Sequence, residues 1–563
     1  MGVEGVGFYQ IAQNDPDRPA VLAPGGPVTY GELHAEVNRL SHALASIGLS
    51  PGDALATVLG NRREFLTVML AAMQSGLYLV PVSRHLTAPE IGYILGDSGA
   101  KAVITEGEFA AAVSGAADEA GVPAEGRVSA DPAAGYRAMA ELCAAHSADP
   151  PAKRQMGSVM LYTSGTTGRP KGVRRPLMDI PPEVLFEVMK QTLMRHLSLE
   201  PGDDEVHLAI GPLYHSAPCV HALMSLSLGH AVVISARFGP EETLDLIQRY
   251  RVTNSLMVPT MFHRMLGLPE DVRARYDVSS LRQVFHTAAP IPKETKQRMM
   301  DWWGPVLYEY YGSTESGPVV VAAPHEWLAH PGTVGRAVEG VQIKILDPEG
   351  AELPPGETGL IYASGQPGFE YHDDPDKTAA AMRGDFYTPG DLGHLDEDGW
   401  LYMSDRRTDL IISGGVNIYP AEIESVLLQH PAVGGAGGGG GPPPPGGGPP
   451  PGPPAPPPAP GGGGAPAPPP PAGFGPPGGG GPPAARAPPP HDWGQLAVAL
   501  VEPAEGAEAG DALAADLLAF CAPRLAKLKH PRRIEFRPAL PRTPSGKLSR
   551  RRVREDYLGG REG

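Results

Sequence analysis

An α/β fold of more than one domain is the architecture this sequence predicts, and three observations carry it. The chain has 563 residues, too many for one hydrophobic core. Residues 1 to about 150 alternate strand and helix patterns, which implies a parallel sheet. From Gly335 to Leu360 the pattern changes to short alternating strands with Asp347-Pro348-Glu349-Gly350 as a turn, so a β-rich subdomain follows.

The first helix signal is Thr29-Tyr30-Gly31-Glu32-Leu33, a cap followed by apolar positions Val37, Leu40, Leu44 and Ile47 and closed by Gly48. Apolar runs at 54–59 and 78–82 read as strands with a helix between them. Residues 183–197 carry apolar side chains at helical spacing, and Ser255–Pro259 reads as a strand followed by a helix. The most apolar window, Phe65 to Val82, contains Gln74, Ser75, Gly76 and Pro81, so it reads as helix, turn and strand rather than a membrane span. No stable membrane insertion is expected.

Composition excludes other classes. A net charge of −17 argues against nucleic acid as the main partner. Cys143, Cys219 and Cys521 show neither disulfide nor metal-ligand spacing, and residues 1–19 carry charges without an apolar run, so no secretory signal is read. A reducing cytoplasm is the expected location.

The chemistry-bearing stretch is Leu161-Tyr162-Thr163-Ser164-Gly165-Thr166-Thr167-Gly168-Arg169-Pro170-Lys171-Gly172-Val173. It follows the apolar Val159-Met160-Leu161, so a strand runs into the loop. Its glycines let backbone N–H groups curl round a phosphate, its hydroxyls add donors, and Lys171 adds a mobile positive charge. The spacing differs from the Walker P-loop, because Pro170 and Lys171 follow Gly165 where Gly-Lys-Ser/Thr is required. It is a different phosphate loop.

This loop resembles the signature of the ANL superfamily, the adenylate-forming acyl-CoA synthetases, adenylation domains and luciferases. Further segments are similar to that family in order: Pro212-Leu213-Tyr214-His215, Thr287-Ala288-Ala289-Pro290, Tyr310-Tyr311-Gly312-Ser313-Thr314-Glu315, Thr388-Pro389-Gly390-Asp391, Ser404-Asp405-Arg406 and Pro541-Arg542-Thr543-Pro544-Ser545-Gly546-Lys547. The resemblance implies a large N-terminal domain of layered α/β subdomains plus a β-rich subdomain over 1–404, a hinge at 405–408 about Thr408, and a small mobile α+β C-terminal domain over 409–563. His215 would gate the acyl pocket. Thr163, Ser164, Gly165, Thr166, Thr167, Gly168 and Lys171 would cradle phosphates, and Ala288, Ala289 and Pro290 would lie flat against adenine. Tyr311 would stack on the purine within a turn that includes Gly312 and Ser313. Thr314 would bind the α-phosphate and Glu315 would hold Mg²⁺, a cation that takes one or two carboxylates plus substrate phosphates. Asp391 is the type to accept both ribose hydroxyls, and Arg406 the type to hold ribose or phosphate oxygens. Gly414 and Gly415 would admit pantetheine, and Lys547 would be the catalytic lysine of the first of two domain orientations.

The pattern breaks after His430-Pro431-Ala432-Val433. From Gly434 to Pro490 the chain is almost entirely Gly, Pro and Ala, where the family continues with an apolar strand. Such a tract is expected to be disordered with polyproline II character, leaving the C-terminal sheet without that strand. A proline-rich ligand, an inert linker and an error in GC-rich codons are the three readings of it. Beyond it, 496–501, 512–521 and 533–536 read as strand, helix and strand.

The implied reaction is AMP-forming acyl-CoA ligation, with ATP, Mg²⁺, CoA and a small-molecule carboxylic acid. The chain ends soon after Lys547 without a carrier domain, which favours free CoA, and a homodimer is compatible with the resemblance. Leu213, Met224, Met257 and Val258 suggest a hydrophobic acid: a medium- or long-chain fatty acid, or a steroid or bile-acid side chain. The alternatives are an acyl-AMP ligase loading a carrier protein, and an inactive nucleotide- or acyl-binding protein with a damaged C-terminal domain.

Overall fold

The computed structural model describes residues 7–163, 170–189, 197–288, 291, 293–347, 349–366, 368–405, 411–413, 416–418, 420–441, 496–504, 506–540 and 557. The fold is mixed α/β, with a large N-terminal part built on several sheets and a smaller C-terminal unit.

A helix over Phe8–Asn14, not read from the sequence, precedes the first predicted one, which local chemistry sets as expected. Tyr30–Ser46 begins at Thr29, whose hydroxyl accepts from the Glu32 amide at 3.2 Å while Glu32 accepts from the Thr29 amide at 2.9 Å. Two of the helix's orphan donors are thereby satisfied reciprocally. Leu33, Val37, Leu40 and Leu44 are buried along one face.

The Ala54–Val58 strand, the Arg63–Gln74 helix and the Tyr78–Pro81 strand follow as expected and start an all-parallel, six-stranded sheet. Its order is 137–138, 127–129, 100–105, 54–58, 78–81, 158–159. A second sheet has nine strands in the order 336–337, 317–322, 307–313, 283–286, 254–257, 206–209, 231–234, 19–22, 28–29. Its central strands are parallel, and antiparallel pairs close both edges. The helix expected over 183–197 is described as Pro182–Met189, and 190–196 lie outside the described residues.

In parallel sheets, ligands bind in the crevice beyond the carboxyl ends of the strands. Pro212–His215 follow the 206–209 strand, Thr287 and Ala288 follow 283–286, and Thr314 and Glu315 follow 307–313. The 161–163 strand leaves the sheet just beyond 158–159. Topology therefore carries these separate sequence segments to the same kind of strand end.

The β-rich subdomain is an antiparallel sheet of Gln342–Leu346, Gly359–Ser364, Met382–Arg383, Phe386–Tyr387, Leu392–Leu395 and Leu401–Asp405. The C-terminal unit has its own core, in which Ile411, Ile418, Ile423, Leu427, Leu517 and Cys521 pack against a three-stranded sheet.

That sheet corrects the expectation of a missing strand. Val433–Gly441, sequence VGGAGGGGG, pairs antiparallel with Leu496–Pro503, which pairs parallel with Arg533–Phe536. A ladder is made by backbone N–H and C=O groups, so glycines can form it despite their entropic cost. Ala436 supplies a buried side chain at 6% exposure. Residues 442–490, the rest of the tract expected to be disordered, lie outside the described residues.

Histidines are buried beneath the nine-stranded sheet. His221 stacks on Tyr310 at 5.9 Å and on His207 at 6.4 Å, and His207 Nδ1 lies 2.7 Å from Asn254 Oδ1. Desolvation pushes His207 down to about 4 and His221 to about 3, so both are neutral in the folded protein.

Two predictions follow from these features. Ala436→Asp buries a charge in the C-terminal core and is expected to cost about 3 kcal/mol or more, read as lost amide protection across 496–503; unchanged protection would remove the glycine strand. Unfolded histidines protonate below 6.5 while His207 and His221 resist, so stability is full above 6.5 and declines as pH falls toward 4. His221→Phe is expected to flatten that decline by up to about 1.4 kcal/mol per pH unit in urea titrations, and an unchanged slope would reject it.

Candidate active site

The strands flanking the glycine-rich loop form a hairpin. Leu161–Thr163 pairs antiparallel with Lys171–Arg174, with Thr163 opposite Lys171, while Ser164, Gly165, Thr166, Thr167 and Gly168 lie outside the described residues. The stems are clamped at both sides. Tyr162 Oη donates to Asp97 Oδ2 at 2.8 Å, and Tyr93 Oη donates to the Pro170 carbonyl at 3.0 Å. A Cβ on Gly172 would lie 2.5 Å from Met160 Cε, so a side chain there would require the Met160 methyl group to move aside.

Thr314 and Glu315 occupy the turn between Leu307–Ser313 and Gly317–Ala322, where Gly317 takes φ +68°. Gly312 is forced by close approach, since a Cβ there would lie 2.0 Å from the Gly317 carbonyl oxygen. Ser313 Oγ lies 3.2 Å from Ser316 Oγ and donates to Tyr387 Oη at 3.4 Å, tying the turn to the β-rich subdomain.

Three groups absent from the sequence-derived site brace the turn or the stem of the loop. Arg175 donates to the carbonyls of Thr314 at 3.1 Å and Glu315 at 2.8 Å. Tyr371 pairs through its backbone with Val173 and donates from Oη to Glu315 Oε1 at 2.8 Å. Asp374 caps the Pro375–Ala380 helix and lies 3.6 Å from Lys171 Nζ. Asp374-Pro375 is readable as a helix start, but nothing local signals its reach to Lys171.

Glu315 is buried at 7% exposure. It opens on a cavity of about 110 Å³ whose polar lining includes Ser316, Ser364, Gln366, Asp385 and Tyr387. Burial and the nearby Glu315 charge push the Tyr387 hydroxyl well above its ordinary range, so it remains a donor.

Tyr311 Oη donates to Asp391 Oδ2 at 2.8 Å, joining two residues that the sequence reading assigned separately. Ala288 adopts φ +71° and is exposed, a left-handed conformation that a Cβ disfavours. His286 turns the other way, buried 3.5 Å from Glu309, which Lys296 pairs at 2.7 Å. Ala289, Pro290, Arg406, Thr408, Gly414, Gly415 and Lys547 lie outside the described residues.

His215 immediately precedes the Ser216–Ser227 helix. The residue is solvent-exposed overall, and the protein packed around its ring lowers the imidazole pKa by desolvation, with a smaller push from His85. Beside it, a cavity of about 200 Å³ lies where the two large sheets' strand ends meet, lined by Asn61, Arg84, His85, Tyr214, Arg237 and Phe238, among others. Asn61 fixes its rim, donating to the carbonyls of Gly211 at 2.9 Å and Ser235 at 3.0 Å and accepting from the Leu213 amide. Leu213, Met224 and Met257 sit in three different packed clusters, so they do not form one pocket wall.

The sequence profile of the AMP-binding enzyme family matches residues 8–370, and that of the AMP-binding enzyme C-terminal domain matches 486–547. The chain belongs to the AMP-binding enzyme family. A fatty acid–[acyl-carrier-protein] ligase of Streptomyces coeruleorubidus is 32% identical over 570 residues, covering 97% of this chain and 95% of the relative. A feruloyl-CoA synthase of an Amycolatopsis species is 31% identical over 565 residues, covering 99% and 100%. Among solved structures, an amide bond synthetase from Marinactinospora thermotolerans superposes with TM-score 0.77 at 26% identity, covering 98% of this chain and 99% of that one. The o-succinylbenzoate CoA synthetase of Bacillus subtilis gives TM-score 0.75 at 27% identity over 97% of both chains.

This AMP-binding enzyme is thus an acid–thiol ligase of the ANL superfamily, working from ATP through an acyl-AMP intermediate. No helix among the described residues is long and apolar enough to cross a membrane. Ala288→Gly is expected to relieve the left-handed strain and raise stability by about 1 kcal/mol in urea unfolding, whereas a loss of stability would contradict it.

Proposed function

We infer that this enzyme makes the CoA thioester of an apolar carboxylic acid. The observation that carries the reading is the junction of Lys171–Arg174, Thr314–Glu315 and Glu370–Tyr371, which gathers hydroxyl, carboxylate and ammonium groups suited to a triphosphate. Residues 1–404 form the adenylating domain in this reading, and 409–563 form a lid turning about 405–408.

In the first step the substrate carboxylate attacks the α-phosphorus of ATP, the bond to the β-phosphate oxygen breaks, and pyrophosphate leaves with the electron pair. Such chemistry needs positioning and charge neutralisation rather than covalent help. Thr163, the 164–168 loop and Lys171 hold phosphates, Thr314 holds the α-phosphate, and Lys547 bridges carboxylate and phosphate oxygens. Adenine lies between Tyr311 and the backbone of Ala288, Ala289 and Pro290, within reach of Gly312 and Ser313 at the end of their strand. Asp391, oriented by Tyr311, accepts the ribose hydroxyls, and Arg406 holds ribose or phosphate oxygens.

Magnesium fits the donor chemistry, because a buried carboxylate opens on a cavity lined with oxygen groups. No cluster of three or more His, Cys, Asp or Glu suited to a metal occurs among the described residues, so Glu315 would hold Mg²⁺ with phosphates and water completing its shell. The ion supplies charge neutralisation on the phosphates when bound.

In the second step the lid turns, Lys547 withdraws, and pantetheine enters past His215 along Gly414 and Gly415. The thiol sulfur attacks the acyl-AMP carbonyl, AMP leaves with the electron pair, and the thiol proton passes to solvent. Arg84 and Arg237 in the 200 Å³ cavity beside the gate favour an acceptor that carries phosphates, as free CoA does. A carrier-protein acceptor is the second reading, favoured by the name of the Streptomyces relative. Inactivity loses its motive, since the C-terminal sheet has its strand.

The relatives named for fatty and feruloyl acids support an acid with an apolar body, among them medium- or long-chain fatty acids and steroid or bile acids. A panel from acetate to bile acids, incubated with MgATP and CoA and read by mass spectrometry for AMP and thioester together, tests substrate and acceptor. Acyl-AMP without thioester would transfer the assignment to a carrier acceptor. Lys547→Ala is expected to slow adenylation about 10²-fold or more while sparing thioester formation from supplied acyl-AMP. Equal losses in both half-reactions would refute its role.

A further inference from the structure

Lys377 belongs to no motif of the sequence, yet it stands inside the proposed phosphate site. It projects from the Pro375–Ala380 helix with its ammonium 4.1 Å from the centre of the Tyr371 ring. Tyr371 is the residue whose hydroxyl donates to Glu315 and whose backbone pairs with Val173, two positions beyond Lys171. Asp374, which pairs with Lys171, also accepts from the Lys377 amide at 3.1 Å. Glu315 and Asp374 attract the Lys377 charge and Lys171 repels it, so all four groups share one small region.

What distinguishes Lys377 is a charge without an ion-pair partner among the described residues. Among the described residues no carboxylate oxygen comes within 4.0 Å of its ammonium, although the side chain is half withdrawn from water and burial lowers its pKa. Holding an ammonium in that state costs free energy unless an anion arrives to complete it. Lys171, by contrast, already has Asp374. The aromatic face of Tyr371 steadies the cation without neutralising it.

We propose that Lys377 is a further phosphate-binding cation of the adenylation reaction, contacting the two phosphates that depart as pyrophosphate. The proposal rests on the reading that Lys171, Thr314 and Glu315 surround the triphosphate. As the α–β bond breaks, the electron pair and its negative charge pass to the leaving pyrophosphate. A preorganised ammonium at that end stabilises the developing charge. Placement on a helix outside the phosphate loop keeps this cation fixed relative to Glu315, through Tyr371, whatever the loop does.

The test uses the full-length enzyme with Lys377→Met, which keeps the aliphatic stem over Tyr371 and removes the charge. KM for ATP, and KM for pyrophosphate in the reverse exchange of labelled pyrophosphate into ATP, are expected to rise about tenfold or more, the worth of one charge-assisted contact. Lys377→Arg should restore most of the loss. KM for the acid, and thioester formation from supplied acyl-AMP and CoA, should stay within about twofold, since neither involves pyrophosphate. A merely structural lysine would lower both half-reactions together, and that outcome overturns the proposal, as does an unchanged KM for pyrophosphate. Lys171→Ala run in parallel separates the two levels. If it raises both constants while Lys377→Met does not, only the role of Lys377 falls; if neither variant moves them, the phosphate-site reading falls with it.

Discussion

A strand of two residues holds the active site together. Glu370–Tyr371 pairs with the stem of the phosphate loop, and the Tyr371 hydroxyl reaches the buried Glu315 carboxylate at 2.8 Å. Neither the loop nor the turn could set the other's position alone, since they leave different sheets. Arg175 adds a second brace by donating to the carbonyls of Thr314 and Glu315. The site is therefore built by hydrogen bonds between backbone and long side chains, the kind of support that fixes geometry within fractions of an ångström.

The electrostatics are local against the global sign. A chain of net charge −17 repels ATP and CoA at long range. At physiological salt that repulsion is largely screened beyond about 8 Å, so cations close to the site decide binding. They occur in two groups. Arg175 and Lys377 stand near Glu315, with Lys171 close to Lys377 and Asp374, and Arg84 and Arg237 line the cavity beside His215. The spacing suits a reaction that uses two phosphorylated substrates in succession.

Much of the fold was legible because its signals are short-range. Thr29 and Glu32 announce a capping box three residues apart, and the 54–58, 63–74, 78–81 unit reads directly as strand, helix and strand. The motif residues were legible by type, and topology explains why distant ones meet at strand ends. Arg175, Tyr371, Asp374 and Lys377 were not legible, because the site that unites them depends on distant partners such as Glu315, 140 residues from Arg175 and 56 from Tyr371, and no periodicity records such contacts. The glycine strand escaped for another reason. Pattern reading weighs side chains, and Val433–Gly441 is held by its backbone ladder.

The strand that completes the phosphate hairpin also has a consequence in time. Arg174 and its neighbour His372 are 198 residues apart in the chain. At about 5–20 residues per second on the ribosome, roughly 10–40 s pass between the synthesis of one and the other. During that interval the Lys171–Arg174 strand has Leu161–Thr163 on one side and an unpaired edge on the other. An open edge invites pairing with foreign strands. The three-stranded sheet thus closes late in the life of the nascent chain, and until then this edge is open to any strand that can reach it.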